Sequence, residues 1–154
     1  MGRRLQELTE PELMTLAEQL VGTWLLVSSV DIDGNGTRTD TWGSNPLGTY
    51  MFDDAGHFAQ IVLRSDLPKA PSREKTTSEQ AKAVVLGSLA MFGTYTVDEA
   101  TRTVNVHFLG STFAGFIETD GKRVIEMTTP DELKFSNSGR AGGGKGQSVW
   151  RRAK

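Results

Sequence analysis

The stretch Leu20-Val21-Gly22-Thr23-Trp24-Leu25-Leu26-Val27-Ser28 is where the chain changes its periodicity. On its near side Leu13, Leu16, Ala17, Leu20 and Val21 recur at helical spacing and form one apolar stripe. On its far side residues 24–32 are rich in β-branched and aromatic side chains, which suit a pleated, half-buried strand. Gly22 stands between the two and stops the helix. The spacing predicts that helix over residues 9–21. Thr9 and Glu12 are placed as a capping box, and Leu8 and Leu13 as a hydrophobic staple. Residues 1–8 are expected to be flexible. An amphipathic helix must lay its stripe on something, and almost everything that follows reads as strand.

Outward from this point, Asp33-Gly34-Asn35-Gly36 is a turn, because Gly and Asn tolerate the positive φ of a tight hairpin. Residues 37–42 return. Ser44-Asn45-Pro46 makes a second break. Residues 48–52 and 57–64 pair around Asp53-Asp54-Ala55-Gly56. Further strands are expected over 93–97, 101–109, 113–119, 123–128, 132–135 and 147–151, with turns at Asp98-Glu99-Ala100 and Asp120-Gly121. Many short strands at regular spacing argue for an all-β sandwich or barrel. A polar loop over 65–75 leads into a second amphipathic helix, expected over 78–92, with Ala81, Val84, Val85, Leu89 and Phe92 on one face. Inserted between strands, it is suited to cover a barrel mouth as a lid. Residues 136–146 are glycine-rich and read as a mobile loop. No repeat or linker divides the chain, so residues 1–154 are read as one domain.

Bulk properties narrow the function. The 154 residues include no cysteine, which excludes disulfides, zinc-thiolate sites and a thiol nucleophile. The net charge is −2, so no basic excess points to nucleic acid. No apolar run is long enough for a membrane span. Arg3 and Arg4 are followed by Gln6, Glu7, Glu10 and Glu12, where a secretory leader would be apolar, so a cytoplasmic location is expected.

Several dispersed segments, taken in order, resemble the bacterial and fungal lipocalin-like domain family. They are the opening Leu20 to Ser28, Asn45-Pro46-x-Gly48, Ala59-Gln60-x-x-x-Arg64, Phe92-Gly93-Thr94-Tyr95-x-Val97-Asp98, Thr103-Val104-x-x-His107 and the closing Val149-Trp150-x-Arg152. The resemblance implies an antiparallel, calycin-type β-barrel of about eight strands that encloses a cavity for a small, largely apolar molecule. It also implies that Trp24 and Trp150-Arg151-Arg152 lie on neighbouring first and last strands, with an arginine over an indole face plugging the barrel floor. Where the family often has a second histidine beside His107, this chain has Val106.

Three motifs have plainer explanations than the chemistry they suggest. Asp31-x-Asp33-x-Asn35-Gly36 opens like a calcium loop, but the twelfth position is Trp42 instead of a bidentate glutamate, and a hairpin turn accounts for the residues. Residues 139–145 mimic a phosphate loop, but Gly146 stands where a hydroxyl is needed and no helix follows. Asn35-Gly36-Thr37 is a sequon at the tip of a turn. The two histidines have no metal-ligand spacing, and no metal or cofactor is expected.

Candidate site residues follow from strand alternation. Gln60 and Arg64 share a face with Phe58 and Val62, and Arg64 offers a forked contact for a carboxylate or enolate oxygen. Tyr50, Met91, Tyr95 and Phe116 are candidate walls of the cavity. His107 alternates with Val104, Val106 and Phe108, so it faces solvent if those three line the lumen. Three readings stay open. The first is a binding module for a small apolar molecule. The second is a cofactor-independent cyclase or isomerase of secondary metabolism, acting on a polyketide- or terpenoid-like substrate, with His107, Arg64 and Tyr95 as electrostatic and acid–base groups. The third is an interaction protein with a filled barrel. The sequence permits a homodimer.

Overall fold

Alternation builds the walls of this protein. In the strand Thr103–Ser111, Val104, Val106 and Phe108 are buried, while Asn105 and His107 between them look outward. The same period runs through Ser88–Asp98, where Met91, Gly93 and Tyr95 are buried and Phe92, Thr94 and Thr96 are exposed. The structure is a computed structural model that describes residues 14–137 and 144–154. Among the described residues the strands are β1 (Gly22–Ile32), β2 (Arg38–Asp40), β3 (Leu47–Phe52), β4 (His57–Leu63), β5 (Ser88–Asp98), β6 (Thr103–Ser111), β7 (Asp120–Thr128), β8 (Glu132–Asn137) and β9 (Lys145–Arg152). The helices are α1 (Leu16–Leu20) and α2 (Ser78–Gly87).

From β3 to β9 each strand pairs antiparallel with the next. β1 pairs with β3 on one side and with β9 on the other, which closes the sheet. Eight strands therefore form the barrel, and β2 is an extra short strand carried by the far end of β1. Closure removes the free edges that would otherwise template aggregation. A barrel of this size has an interior that side chains can fill.

One end is sealed. Leu16 and Leu20 of α1 are buried against the barrel, and the Trp24 indole donates to the Leu20 carbonyl at 2.9 Å. The Arg152 guanidinium lies over the Trp24 ring, 4.2 Å from its centroid. It donates to the carbonyls of Gln19 (2.7 Å), Val21 (2.9 Å) and Pro130 (2.6 Å). This is the arginine-on-indole floor expected for Trp24 and the closing strand. Gly22 makes it fit: its φ of +133° suits only glycine, and a Cβ there would lie 2.5 Å from Arg152 Nη1. The amino end of α1 is held by the Glu99 carboxylate, which accepts from the backbone of Leu16 at 3.0 Å and Ala17 at 3.3 Å.

Several element boundaries differ from the expectation. The first helix begins at Leu16, with Thr15 as its cap accepting from the Glu18 amide. The Thr9–Glu12 box and residues 1–8 lie outside the described residues, as do 138–143 of the glycine-rich loop. α2 starts where its capping box, Thr77 with Gln80, places it, but it ends at Gly87. There a Cβ would come within 2.9 Å of Leu67 and 3.0 Å of Arg64. Residues 88–92 of the expected helix belong instead to β5, and their period is two. Residues 113–119 are not a strand: Ala114–Phe116 is a single 3₁₀ turn, and Glu118 takes a left-handed φ of +62°. Asp120 and Gly121, read as a turn, open β7.

Candidate functional site

Above the floor the lumen is packed with rings. Tyr50 and Phe52 stack at 4.3 Å, Trp150 meets Tyr50 edge-on at 5.3 Å, and Phe52 meets Tyr95 edge-on at 5.0 Å. Such pairs add to the burial of each ring, so this half of the barrel is core. Towards the opposite end, where β1 meets β2, a cavity of about 110 Å³ remains. Leu26, Val62, Leu89, Met91, Phe135 and Trp150 supply its apolar walls, and Trp42, at the end of the turn after β2, borders it. Gln60, Arg123, Ser29, Thr41 and Ser148 bring polar groups into the same space.

The polar atoms here are not all spoken for. Gln60 Oε1 and Thr41 Oγ1 are buried without a hydrogen-bond partner, and the Tyr50 hydroxyl is buried within reach of the Arg123 guanidinium. Buried polar groups ordinarily have partners, so the two unpartnered atoms distinguish the cavity from the packed half of the lumen. Burial pushes the Tyr50 hydroxyl above its ordinary pKa, and the Arg123 guanidinium pulls it the other way. Arg123 turns inward with its strand neighbours: a Cβ on Gly121 would touch Arg123 Nη1, Val106 and Phe108 together. No aspartate or glutamate is among the described residues that line the cavity.

Of the candidates named from sequence, Gln60 and Met91 line this cavity, and Tyr50 is buried beneath it. Arg64 does not enter the lumen. It follows the last residue of β4, its amide donates to Gly87, and its guanidinium grips Asp66 through Nε at 2.8 Å and Nη2 at 2.9 Å. That pairing holds Asp66 below the usual carboxylate range. Tyr95 lies on the floor side, where its hydroxyl donates to the Asp53 carbonyl. Phe116 sits on the 3₁₀ turn, 41% exposed, against Phe108 and Phe113 and away from the cavity.

His107 faces out. Its Nδ1 lies 2.7 Å from Asp120 and its Nε2 3.3 Å from Glu118, whose left-handed backbone turns the carboxylate toward the ring. The Asp120 contact, aided by Glu118, raises the His107 pKa above the ordinary imidazole value. These groups border an open outer groove of about 800 Å³ with Thr94, Thr96, Asn105 and Lys122. Tyr95 borders the same groove, but its ring turns against Phe52 and its hydroxyl is bound to the Asp53 carbonyl, while Arg64 lies elsewhere, so the three side chains do not converge. The Asp33 carboxylate of the calcium-like segment accepts from the amides of Asn35 and Thr37 at 2.9 Å each, as a turn requires. Among the described residues no three acidic or histidine side chains gather to hold a metal, and no helix is long and apolar enough to cross a membrane.

Arg123 was missed from sequence, although a signal existed. Gly121, Arg123 and Ile125 share one face of a strand, and Ile125 is core. A charge on a core face is read as an outward residue unless the register is known.

Comparison with known proteins agrees with this architecture. The model of the lipocalin-like domain matches residues 21–153. No curated protein sequence matches the chain significantly. Among solved structures, a lipocalin-like protein from Bacteroides uniformis is 16% identical with a TM-score of 0.49, covering 88% of this chain and 99% of that one. A de novo designed fluorescence-activating β-barrel is 12% identical with a TM-score of 0.46, covering 91% and 99%. With a matched model that spans nearly all of β1 to β9, the chain belongs to the lipocalin-like domain family.

Proposed function

We propose that this protein is a binding module that holds a small, largely apolar molecule in the cavity at the unplugged end of the barrel. The observation that carries the reading is the asymmetry of the lumen. One end is sealed by Trp24 and Arg152, while the other keeps a space walled by Leu89, Met91 and Val62 that also contains unpartnered Gln60 and Thr41 atoms. Apolar walls with a few fixed polar groups are the usual make-up of a small-molecule site. The volume of about 110 Å³ is below the range of roughly 300–1,000 Å³ typical of drug-sized ligands. The cavity therefore suits a compact molecule, or the head of a longer one that leaves past Trp42. The cyclase or isomerase reading has no observation in its favour: the Tyr95 hydroxyl is spent on the Asp53 carbonyl and Arg64 on Asp66, so neither reacting group converges with His107.

The test is to fill the cavity. Met91→Trp places a large ring where the ligand would sit. Compounds co-purified from the native host are identified by mass spectrometry and titrated back, with tryptophan fluorescence as the readout. Binding to the wild type that is lost in folded Met91→Trp supports the site. Equal binding by both proteins places the ligand elsewhere and overturns the proposal.

A further inference from the structure

Resting on the reading of the barrel as a small-molecule binder, we infer that its ligand is an organic monoanion whose acid group is received by Arg123. Arg123 borders the cavity as well as the outer groove, and its Nη1 lies with Val106 and Phe108 around the inward side of Gly121. It donates to the Lys122 carbonyl at 3.2 Å and also reaches the buried Tyr50 hydroxyl. A guanidinium has five N–H donors, so most of its capacity is unspent. No described carboxylate pairs with it, and no acidic side chain lines the space. The contrast with Arg64, which has a carboxylate gripped at both ends of its fork, is plain.

A cation turned into a partly enclosed apolar space without a counter-charge is costly. A bound anion removes that cost, which favours an acid over a neutral molecule of the same shape. The surroundings point the same way. The Thr41 hydroxyl lines the cavity, is buried without a partner and can donate to an oxyanion. The Ser148 hydroxyl, which accepts from the Trp150 indole at 2.9 Å, keeps its own proton to give. An ionised carboxylate or enolate oxygen accepts several such bonds, and the planar guanidinium fits two of its lone pairs at once. The apolar walls, Leu89 and Met91, are left for the body of the ligand.

The experiment compares matched probes at neutral pH by calorimetry: hexanoate with 1-hexanol, and benzoate with benzyl alcohol. The acids are expected to bind at least about tenfold more tightly than the alcohols, the worth of one charge-assisted contact. In Arg123→Met the acid preference disappears while alcohol affinity is kept, and Arg64→Gln leaves both unchanged. If Arg123→Met fails to fold, Arg123→Lys, which keeps the charge but not the fork, is expected to retain only part of the preference. Acids and alcohols binding equally to the wild type would overturn the monoanion while leaving the binding module standing. A preference that survives Arg123→Met would overturn the role of Arg123. Binding of none of the probes would overturn both readings.

Discussion

Replacing Arg152 by alanine removes four interactions at once. Three are charge-assisted hydrogen bonds to the carbonyls of Gln19, Val21 and Pro130, and the fourth is the contact with the Trp24 face. The Pro130 bond is exposed and the other two are part-buried, so water replaces some of what is lost. Taking about 1 kcal/mol for each hydrogen bond and about 1 kcal/mol for the cation–π contact gives a loss of about 4 kcal/mol. For a chain of this length that corresponds to a fall in Tm of roughly 8–16 °C. Urea unfolding followed by tryptophan fluorescence and by far-ultraviolet circular dichroism measures it directly. Arg151→Ala is the control: this neighbouring arginine is exposed on the outer face, opposite Leu25 and Glu132, and its loss is expected to cost less than about 0.5 kcal/mol. Arg152→Lys keeps the charge but not the fork and is expected to fall between the two. Equal losses for Arg151→Ala and Arg152→Ala, or a loss below about 1 kcal/mol for Arg152→Ala, would refute the idea that this side chain seals the floor.

Gly22→Ala, which meets both the positive φ and Arg152 Nη1, is expected to cost about 2–4 kcal/mol in the same unfolding assay, against about 1 kcal/mol for Gly36→Ala, which has the positive φ but no atom within 4 Å of its Cβ. Tyr95→Phe leaves the Asp53 carbonyl without its donor and is expected to cost about 1 kcal/mol, measured by thermal unfolding. His107 titrates above the ordinary imidazole value because Asp120 favours its charged form. Its contribution to stability is therefore fully present below the unfolded value of about 6.5 and is lost as pH rises through the raised folded value. In Asp120→Asn, nuclear magnetic resonance titration of His107 is expected to show the midpoint moving down; an unchanged midpoint would assign the shift to another group.

Much of the barrel was readable because its strands keep a strict period. Val104, Val106 and Phe108 declare one face of β6, and the helix-to-strand change at Gly22 declares the floor. Legibility failed where the period is broken. Register shifts at Leu26/Ser28 in β1, at Leu109 in β6 and at Ile125/Met127 in β7 each exchange inside for outside, and nothing local in the sequence marks them. α2 was overextended because Leu89 and Phe92 satisfy a helical spacing as well as they satisfy a strand, and only the crowding at Gly87 decides between them. The site suffered most. Arg64 lies one residue past the end of its strand, where alternation no longer governs direction, and Arg123 lies on a core face where a charge is not expected.

The floor also sets an order in time. The Arg152–Val21 contact joins residues 131 positions apart, and the β1–β9 seam it completes is among the most distant pairings in the chain. During synthesis β1 emerges before the other strands of the barrel and β9 after them, so one edge of β1 waits for its partner until the rest of the barrel has been made. Closing so long a loop is slow, and the waiting edge is open to other strands meanwhile. The arginine that plugs the finished barrel is therefore also the latch that ends its assembly, and a chain cut short before Lys145 is a sheet with nothing to shut it.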